Sequence, residues 1–170
     1  MLVHALVISR LDYCNSVFNN IAATHLKPLQ SVLHAAARLV VRKRKFDHVT
    51  EDVRDYLHWL PVTNRIDYKL CVLVFKSLHQ MAPAYLSDMC SPASTDTNRS
   101  QLRSAAQGRL LDLTVRRTRT TTYGPRSFAV AGPSIWNTLP RDIREPTLTF
   151  KQFCSKLKTI MFNRAYYSRT

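Results

Sequence analysis

The sequence predicts a mainly α-helical protein, in which a helical hairpin is followed by a helical C-terminal domain with a small β-hairpin. Apolar residues recur at steps of three and four in four segments, as on one face of a helix. Hydrophobic residues make up 45% of the 170 residues and only three residues are glycine, which is typical of a folded chain. A chain of this length buries roughly two-thirds of its unfolded surface, so we expect a core.

The first two periodic segments predict the hairpin, over residues 1–42. The first segment predicts a helix over residues 2–19, with its apolar stripe at Val3, Val7, Leu11, Cys14, Phe18 and Ile21. The second segment carries its stripe at Leu26, Leu29, Leu33, Ala36 and Val40. Because the connection between them is short, we expect the two helices to be antiparallel.

Residues 43–89 are predicted to be a helical core segment. Thr50 precedes two acidic residues, a pattern that favours the start of a short helix. Thr63 is a candidate cap for the longest helix, which Pro83 closes. The apolar face of this helix comprises Ile66, Leu70, Leu73, Val74, Ser77 and Met81.

The remainder is predicted to be a linker or long loop over 90–108 and a C-terminal segment over 109–170. The loop is polar and shows no periodicity. Alternation from Leu111 to Val115, followed by a β-prone stretch to Tyr123, predicts a small hairpin turning near Arg116 and Arg117. A final helix, capped by Thr147 or Thr149, carries an apolar stripe of Phe150, Phe153, Leu157, Ile160 and Met161.

The charge of the chain favours polyanionic partners. Twenty-five Lys and Arg against 11 Asp and Glu give a net charge of +14, beyond the roughly 2 to 8 charges that keep a small domain soluble. We therefore expect RNA, DNA or an RNA–DNA hybrid as a partner, the alternative being a solvated charged face. The candidate nucleic-acid-binding residues are Arg38, Arg42, Lys43, Arg44, Lys45, Arg116, Arg117, Arg119 and Arg126. Arginine suits this chemistry because its planar fork fits phosphate and stacks on bases.

The sequence offers no complete catalytic site. It contains no GxxxxGK[ST], GxGxxG, HExxH or GxSxG motif. Two-metal phosphoryl transfer needs several carboxylates close together, and the one close acidic pair, Glu51–Asp52, is better explained as charge at the start of a helix. We therefore expect neither an enzyme nor a bound cofactor or metal.

The cysteines and the N-terminal residues indicate in which cellular compartment we expect the protein. Cys14, Cys71, Cys90 and Cys154 show no paired spacing, so we expect reduced thiols and a cytoplasmic or nuclear location. The opening apolar run lasts only eight residues before Arg10 and lacks a basic start, unlike a signal peptide. No apolar run reaches the roughly 18 residues that cross a bilayer, so no membrane partner is expected.

An ordered set of short sequence segments, or words, resembles a known family. The words are SRLDYCNSVF (9–18), AAARLV (35–40), KFDHVT (45–50), LHWLPV (57–62), RIDYKLCVLVFKSLH (65–79), APAYLSD (82–88), LRS (102–104), RTRTTTYGPRSFAVAGPSIWNTLP (117–140) and FKQFCSKLKTIMF (150–162). Together they closely resemble the C-terminal end of the second-frame polyprotein of jockey-like LINE retrotransposons, beyond the polymerase palm. The resemblance covers nearly the whole chain.

The resemblance implies that residues 1 to about 42 correspond to the end of a reverse-transcriptase thumb, and the rest to the family's C-terminal extension. By family position, Arg38 and the run from Arg42 to Lys45 are then the expected contacts to the nucleic-acid backbone. The family's palm, with its paired catalytic aspartates, and its endonuclease are absent from this sequence. The expectation is therefore a non-catalytic fragment that binds nucleic acid. The rival expectations are a module that docks on the missing polymerase domain or on another copy of itself, and a relic with no selected role.

Overall fold

The computed structural model describes residues 2–93 and 111–167 and is mainly helical, as predicted. The chain divides into two compact units, one formed by Met1–Asp67 with Thr159–Thr170 and the other by Tyr68–Lys158. Most of the predicted 90–108 loop, residues 94–108, lies outside the described residues. None of the helices within the described ranges is both long enough and apolar enough to cross a bilayer.

The first unit begins with a helix that is shorter than predicted. A π-helical turn, His4–Ile8, continues into α1, Ser9–Asp12. The helix ends there because Tyr13 is extended and Cys14 is left-handed, with φ 49°. A 3-10 turn, Asn15–Phe18, replaces the end of the predicted helix. The carboxylate of Asp12 accepts hydrogen bonds at 2.8 and 2.9 Å from Nη1 of Arg65, an interaction that the spacing of apolar residues could not reveal.

The second predicted helix is confirmed as α2, Ala23–Val41. It buries Leu26, Leu33, Ala36 and Ala37, and so uses most of the predicted stripe. It ends at Arg42, which is left-handed with φ 58°, and the backbone N–H of Lys43 reaches back to the carbonyl of Arg38 at 3.0 Å. This six-to-one bond is the Schellman ending, which satisfies a carbonyl that the helix would otherwise leave unpaired.

The rest of the first unit is organised around Trp59. A second π-helical turn, Asp52–Tyr56, precedes it, and His58 is left-handed with φ 50°. The indole of Trp59 is buried, and its carbonyl accepts a hydrogen bond at 2.7 Å from the hydroxyl of Tyr166. This bond ties the end of the chain to a turn more than 100 residues earlier.

Helices α3, Val62–Leu78, and α6, Phe150–Tyr166, contribute residues to both units. The predicted face of α3 is largely correct, since Ile66, Leu70, Val74 and Ser77 are buried. Met81 is instead half exposed, because α3 stops at Leu78 and the chain turns through Gln80, which has φ 55°.

The second unit combines α3 and α6 with shorter elements. These are α4, Ala84–Ser87, α5, Phe128–Asn137, and a 3-10 turn, Arg141–Ile143. The ring of Phe75 stacks on that of Phe153 with centroids 4.2 Å apart, and Trp136 lies 5.8 Å from Phe153. Phe153, Leu157 and Phe75 are almost fully buried, so this aromatic cluster is the centre of the core.

Helix α6 begins at a capping box. The backbone N–H and hydroxyl of Thr149 donate to Oε1 of Gln152, and the N–H of Gln152 donates to Oγ1 of Thr149. Two helix-end donors are satisfied reciprocally, so of the two predicted caps Thr149 is the one used.

The predicted β-hairpin between Leu111 and Tyr123 is not seen. Leu113 forms a single antiparallel bridge with Pro92, flanked by hydrogen bonds from Ala93 to Asp112 and from Thr114 to Ser91. The side chain of Asn137 bonds both the N–H and the carbonyl of Leu113 at 2.9 Å. These backbone groups of Leu113 are already paired, so they cannot bond a second strand beyond Arg116. The residues from Arg117 to Tyr123 are exposed and form bends and irregular backbone.

Candidate nucleic-acid interface

The turn that follows α2, residues 42–45, is called the basic turn and is the first group of candidate contacts. Its shape depends on Asp47, whose carboxylate accepts the backbone N–H of Arg44 at 2.8 Å. The N–H of Asp47 returns a bond to the carbonyl of Arg44 at 3.2 Å. Asparagine and aspartate favour such local bonds, so a single aspartate two residues after the last cation closes the turn.

Two of the predicted contacts hold this turn in place. Nε of Arg38 donates to the carbonyl of Asp47 at 2.9 Å. Nζ of Lys43 donates to the carbonyl of His48 at 3.1 Å and forms an ion pair with Asp52. Part of their hydrogen-bonding capacity is therefore used within the protein, and we assign them to positioning.

Besides Lys43, three cations of the group are exposed. Arg42, Arg44 and Lys45 are exposed, and neither arginine side chain has a hydrogen-bond or ion-pair partner within residues 2–93 and 111–167. Nζ of Lys45 lies 5.4 Å from the ring centroid of Phe46. These three side chains are the ones available to an anion.

Electrostatics at the basic turn favour anion binding, although a helix C-terminus by itself does not. The end of α2 carries about half a negative charge, which disfavours a nearby phosphate by about 0.3–1 kcal/mol and fades within one turn. Against this, Arg38 and the basic turn supply five cations, opposed by the three carboxylates of Asp47, Glu51 and Asp52. Asp47 and Asp52 are engaged locally, so the exposed edge of the turn is cationic.

Neutral His34 lies one helical turn before Arg38. Burial lowers the pKa of His34 below its ordinary value, and the charge of Arg38 lowers it further. Oε1 of Gln30 accepts the N–H of Val62 at 2.9 Å, which directs the Gln30 amide nitrogen at Nε2 of His34, 2.8 Å away. A ring nitrogen that accepts a hydrogen bond carries no proton, so the contact and the pKa agree on a neutral imidazole.

The second group of candidate contacts, Arg116 to Arg126, lies in the other compact unit. Nη2 of Arg116 donates to the carbonyl of Asp88 at 3.2 Å, and Arg117 and Arg119 are exposed. Tyr123 is exposed beside them.

Arg126 departs from this pattern. It belongs to a 3-10 turn, Gly124–Arg126, and its side chain is half buried. Its Nε is buried and has no hydrogen-bond partner in the part of the chain that the structure describes. Arg126 is therefore less exposed than Arg117 and Arg119.

Sequence reasoning missed Phe46 and Asp47. Phe46 is 87% exposed although it lies between a lysine and an aspartate in the most cationic part of the chain. A signal was present, because Phe46 is an aromatic residue outside the apolar stripe of α2. Asp47 was detectable as the first carboxylate after the cationic run, separated from it by Phe46 alone.

No group of three or more His, Cys, Asp and Glu side chains between residues 2 and 93 or between 111 and 167 is arranged to hold a metal ion. Comparisons of this chain with protein-family models, with curated proteins and with solved structures find no match.

Proposed function

We propose that this chain is a non-catalytic, retrotransposon-derived domain that binds the phosphate backbone of RNA or DNA through the basic turn. The observation that carries the proposal is the exposure of Arg42, Arg44 and Lys45 on a turn that Arg38, Lys43 and Asp47 hold in shape. The retrotransposon origin rests on the ordered sequence words described above.

The chemistry of the exposed cations suits phosphate. Arg42 and Arg44 each offer a planar fork that can donate two hydrogen bonds to phosphate oxygens, and Lys45 adds a point charge. Contacts of this kind position a protein on nucleic acid without reading bases, so we expect little sequence preference. Non-specific binding of this class has a Kd of about 10⁻⁴ to 10⁻⁶ M at physiological salt.

Fluorescence anisotropy with a labelled RNA–DNA hybrid of about 12 base pairs tests the proposal, at roughly 50 mM salt. We expect a Kd tighter than about 10 µM for the intact chain. The variant R42A/R44A/K45A should bind at least about tenfold more weakly, since each phosphate contact that it loses contributes roughly 1 kcal/mol or more. A Kd weaker than about 10 µM for the intact chain contradicts the proposal.

A second candidate function is a protein-interaction or self-association module. The observation that favours it is the exposure of large apolar side chains in the first unit, namely Leu2, Leu6, Val32 and Leu39. Val32 and Leu39 are seven residues apart on α2, and therefore on one face of the helix. Sedimentation equilibrium tests this candidate, because a species that stays monomeric at about 100 µM excludes self-association in the usual affinity range.

A further inference from the structure

Phe46 is an exposed aromatic ring within a group of cations. Its side chain is 87% exposed, and it directly follows the basic turn, with Lys45 and Arg44 one and two residues before it. Leaving a phenyl ring in water forgoes the free energy that burial would give. Such a position is readily explained if the ring is covered by a partner.

The backbone around Phe46 is held on both sides. The N–H of Arg44 is bonded to the carboxylate of Asp47, and Nε of Arg38 is bonded to the carbonyl of the same residue. Nζ of Lys43 is bonded to the carbonyl of His48. The ring is therefore presented by a defined turn, which lowers the entropy lost when a partner packs on it.

We propose that Phe46 stacks on an unpaired base while the exposed cations contact the adjoining phosphates, which makes the basic turn a single-strand site. This inference rests on the proposed function and specifies its substrate class. Sites for single-stranded nucleic acid combine cations along the backbone with aromatic rings on which bases stack. Within a duplex the base faces are already stacked on one another, so only the cations have a role there.

A membrane surface is the other partner to which a cationic aromatic turn can bind, and the structure favours it less. One phenyl ring is a small anchor, since even a single myristoyl chain gives only marginal and reversible membrane binding. Base stacking requires contact with only one face of the ring.

The experiment compares four variants of the full chain. F46A removes the ring, F46L keeps an apolar side chain without aromaticity, and F46W restores a larger aromatic surface. Y85A is the matched control, because Tyr85 is an exposed aromatic residue whose neighbours Ala84 and Leu86 are uncharged. Circular dichroism and chemical denaturation verify that each variant is folded.

The probes are labelled RNA and DNA single strands of about 12 nucleotides and the duplexes of the same sequence. Vesicles with phosphatidylserine form a separate arm. The quantity compared is the ratio of single-strand to duplex affinity at fixed salt, because both affinities share the phosphate contribution. Comparison of the RNA and DNA single strands shows which of the two the site binds more tightly.

We expect F46A and F46L to lower this ratio by about 5- to 150-fold, the range that one base–aromatic stack provides. F46W and Y85A should keep the ratio of the unaltered chain. If F46A has the same ratio as the unaltered chain, the inference is overturned and the proposed function stands. The same conclusion follows if F46A loses binding only to the vesicles. Absence of binding to every nucleic-acid probe overturns both.

Discussion

Nε of Arg38 lies 2.9 Å from the carbonyl oxygen of Asp47, nine residues further along the chain. This bond joins the last turn of α2 to the far side of the basic turn. A residue that the sequence resemblance suggests as a phosphate contact is thereby placed in a positioning role. The distinction between positioning and contact can be measured.

Replacing Arg38 by Ala should lower affinity without much change in salt dependence. The variant loses a hydrogen bond whose contribution to stability is about 1 kcal/mol, and the turn loses one of its supports. The phosphate contacts of Arg42, Arg44 and Lys45 remain, so the slope of log affinity against log salt should stay within about 0.3 of the original value. R42A, the matched comparison, should reduce that slope by about 0.7 to 0.9. A slope for R38A that falls as much as that for R42A would place Arg38 on the phosphate itself.

The neutral state of His34 predicts an acid-sensitive stability. Its folded pKa lies below 6.5, so the unfolded chain takes up the proton first as the pH falls. The free energy of unfolding should therefore be highest above about pH 6.5 and should decrease as the pH falls below it. H34Q has no titrating ring, and its unfolding free energy should fall less between about pH 7 and pH 5. Urea denaturation across this range is the measurement, and identical pH profiles for the two proteins would rule out His34 as the cause.

A largely buried ion pair in the second unit predicts a large effect of removing one partner. Arg144 is almost fully buried, and its Nη1 is bonded to Asp112, whose side chain is 30% exposed. Removing one partner of a buried pair costs about 3–5 kcal/mol, and the exposure of Asp112 reduces this to about 2–3 kcal/mol for D112A. The double variant R144M/D112A removes the uncompensated charge and should be more stable than D112A alone. Denaturation midpoints test this order, and a less stable double variant would contradict it.

Gly132 is predicted to be required by close packing. A Cβ atom at this buried position in α5 would lie 2.9 Å from Cγ2 of Val74 and 3.1 Å from Cε2 of Phe128. The overpacking cost of about 1–3 kcal/mol exceeds the gain of about 1 kcal/mol in helix propensity, so G132A should destabilise the protein by up to about 2 kcal/mol. Adding V74A removes the clashing methyl group, so the double variant should lose less than the sum of the two single losses. Strict additivity would show that the two side chains do not meet.

The sequence predicted the long helices because their cause is local. The stripes of α2 and α6 recur with the helical period, and Thr149 is followed three residues later by Gln152, as a capping box requires. Long-range interactions were not predictable in this way. The bond from Tyr166 to Trp59 and the pair of Arg65 with Asp12 join residues whose separation carries no periodic signal.

Two predictions from the sequence, the length of the first helix and the β-hairpin, were wrong for physical reasons that the local sequence does not carry. The first helix ends before Cys14 because Tyr13 is extended and Cys14 is left-handed, a conformation that cysteine seldom adopts and that no local residue type signals. The predicted hairpin does not form because the side chain of Asn137, at the end of α5, already bonds the backbone N–H and carbonyl of Leu113. For the candidate site, the sequence identified the cations. Only the hydrogen bonds of the turn show that Arg38 and Lys43 hold its shape, whereas Arg42, Arg44 and Lys45 are available to an anion.

The measurement that most directly tests the account is the salt dependence of nucleic-acid binding in two charge-matched triple variants. R42A/R44A/K45A removes the exposed cations of the basic turn, and K151A/K156A/K158A removes three exposed lysines of α6. If the basic turn contacts phosphate, the first variant should flatten the slope on duplex by about 2 to 3, and the second should flatten it by less than about 1. Equal slopes for the two variants would mean that only the net charge of +14 attracts nucleic acid, and would contradict a site at the basic turn.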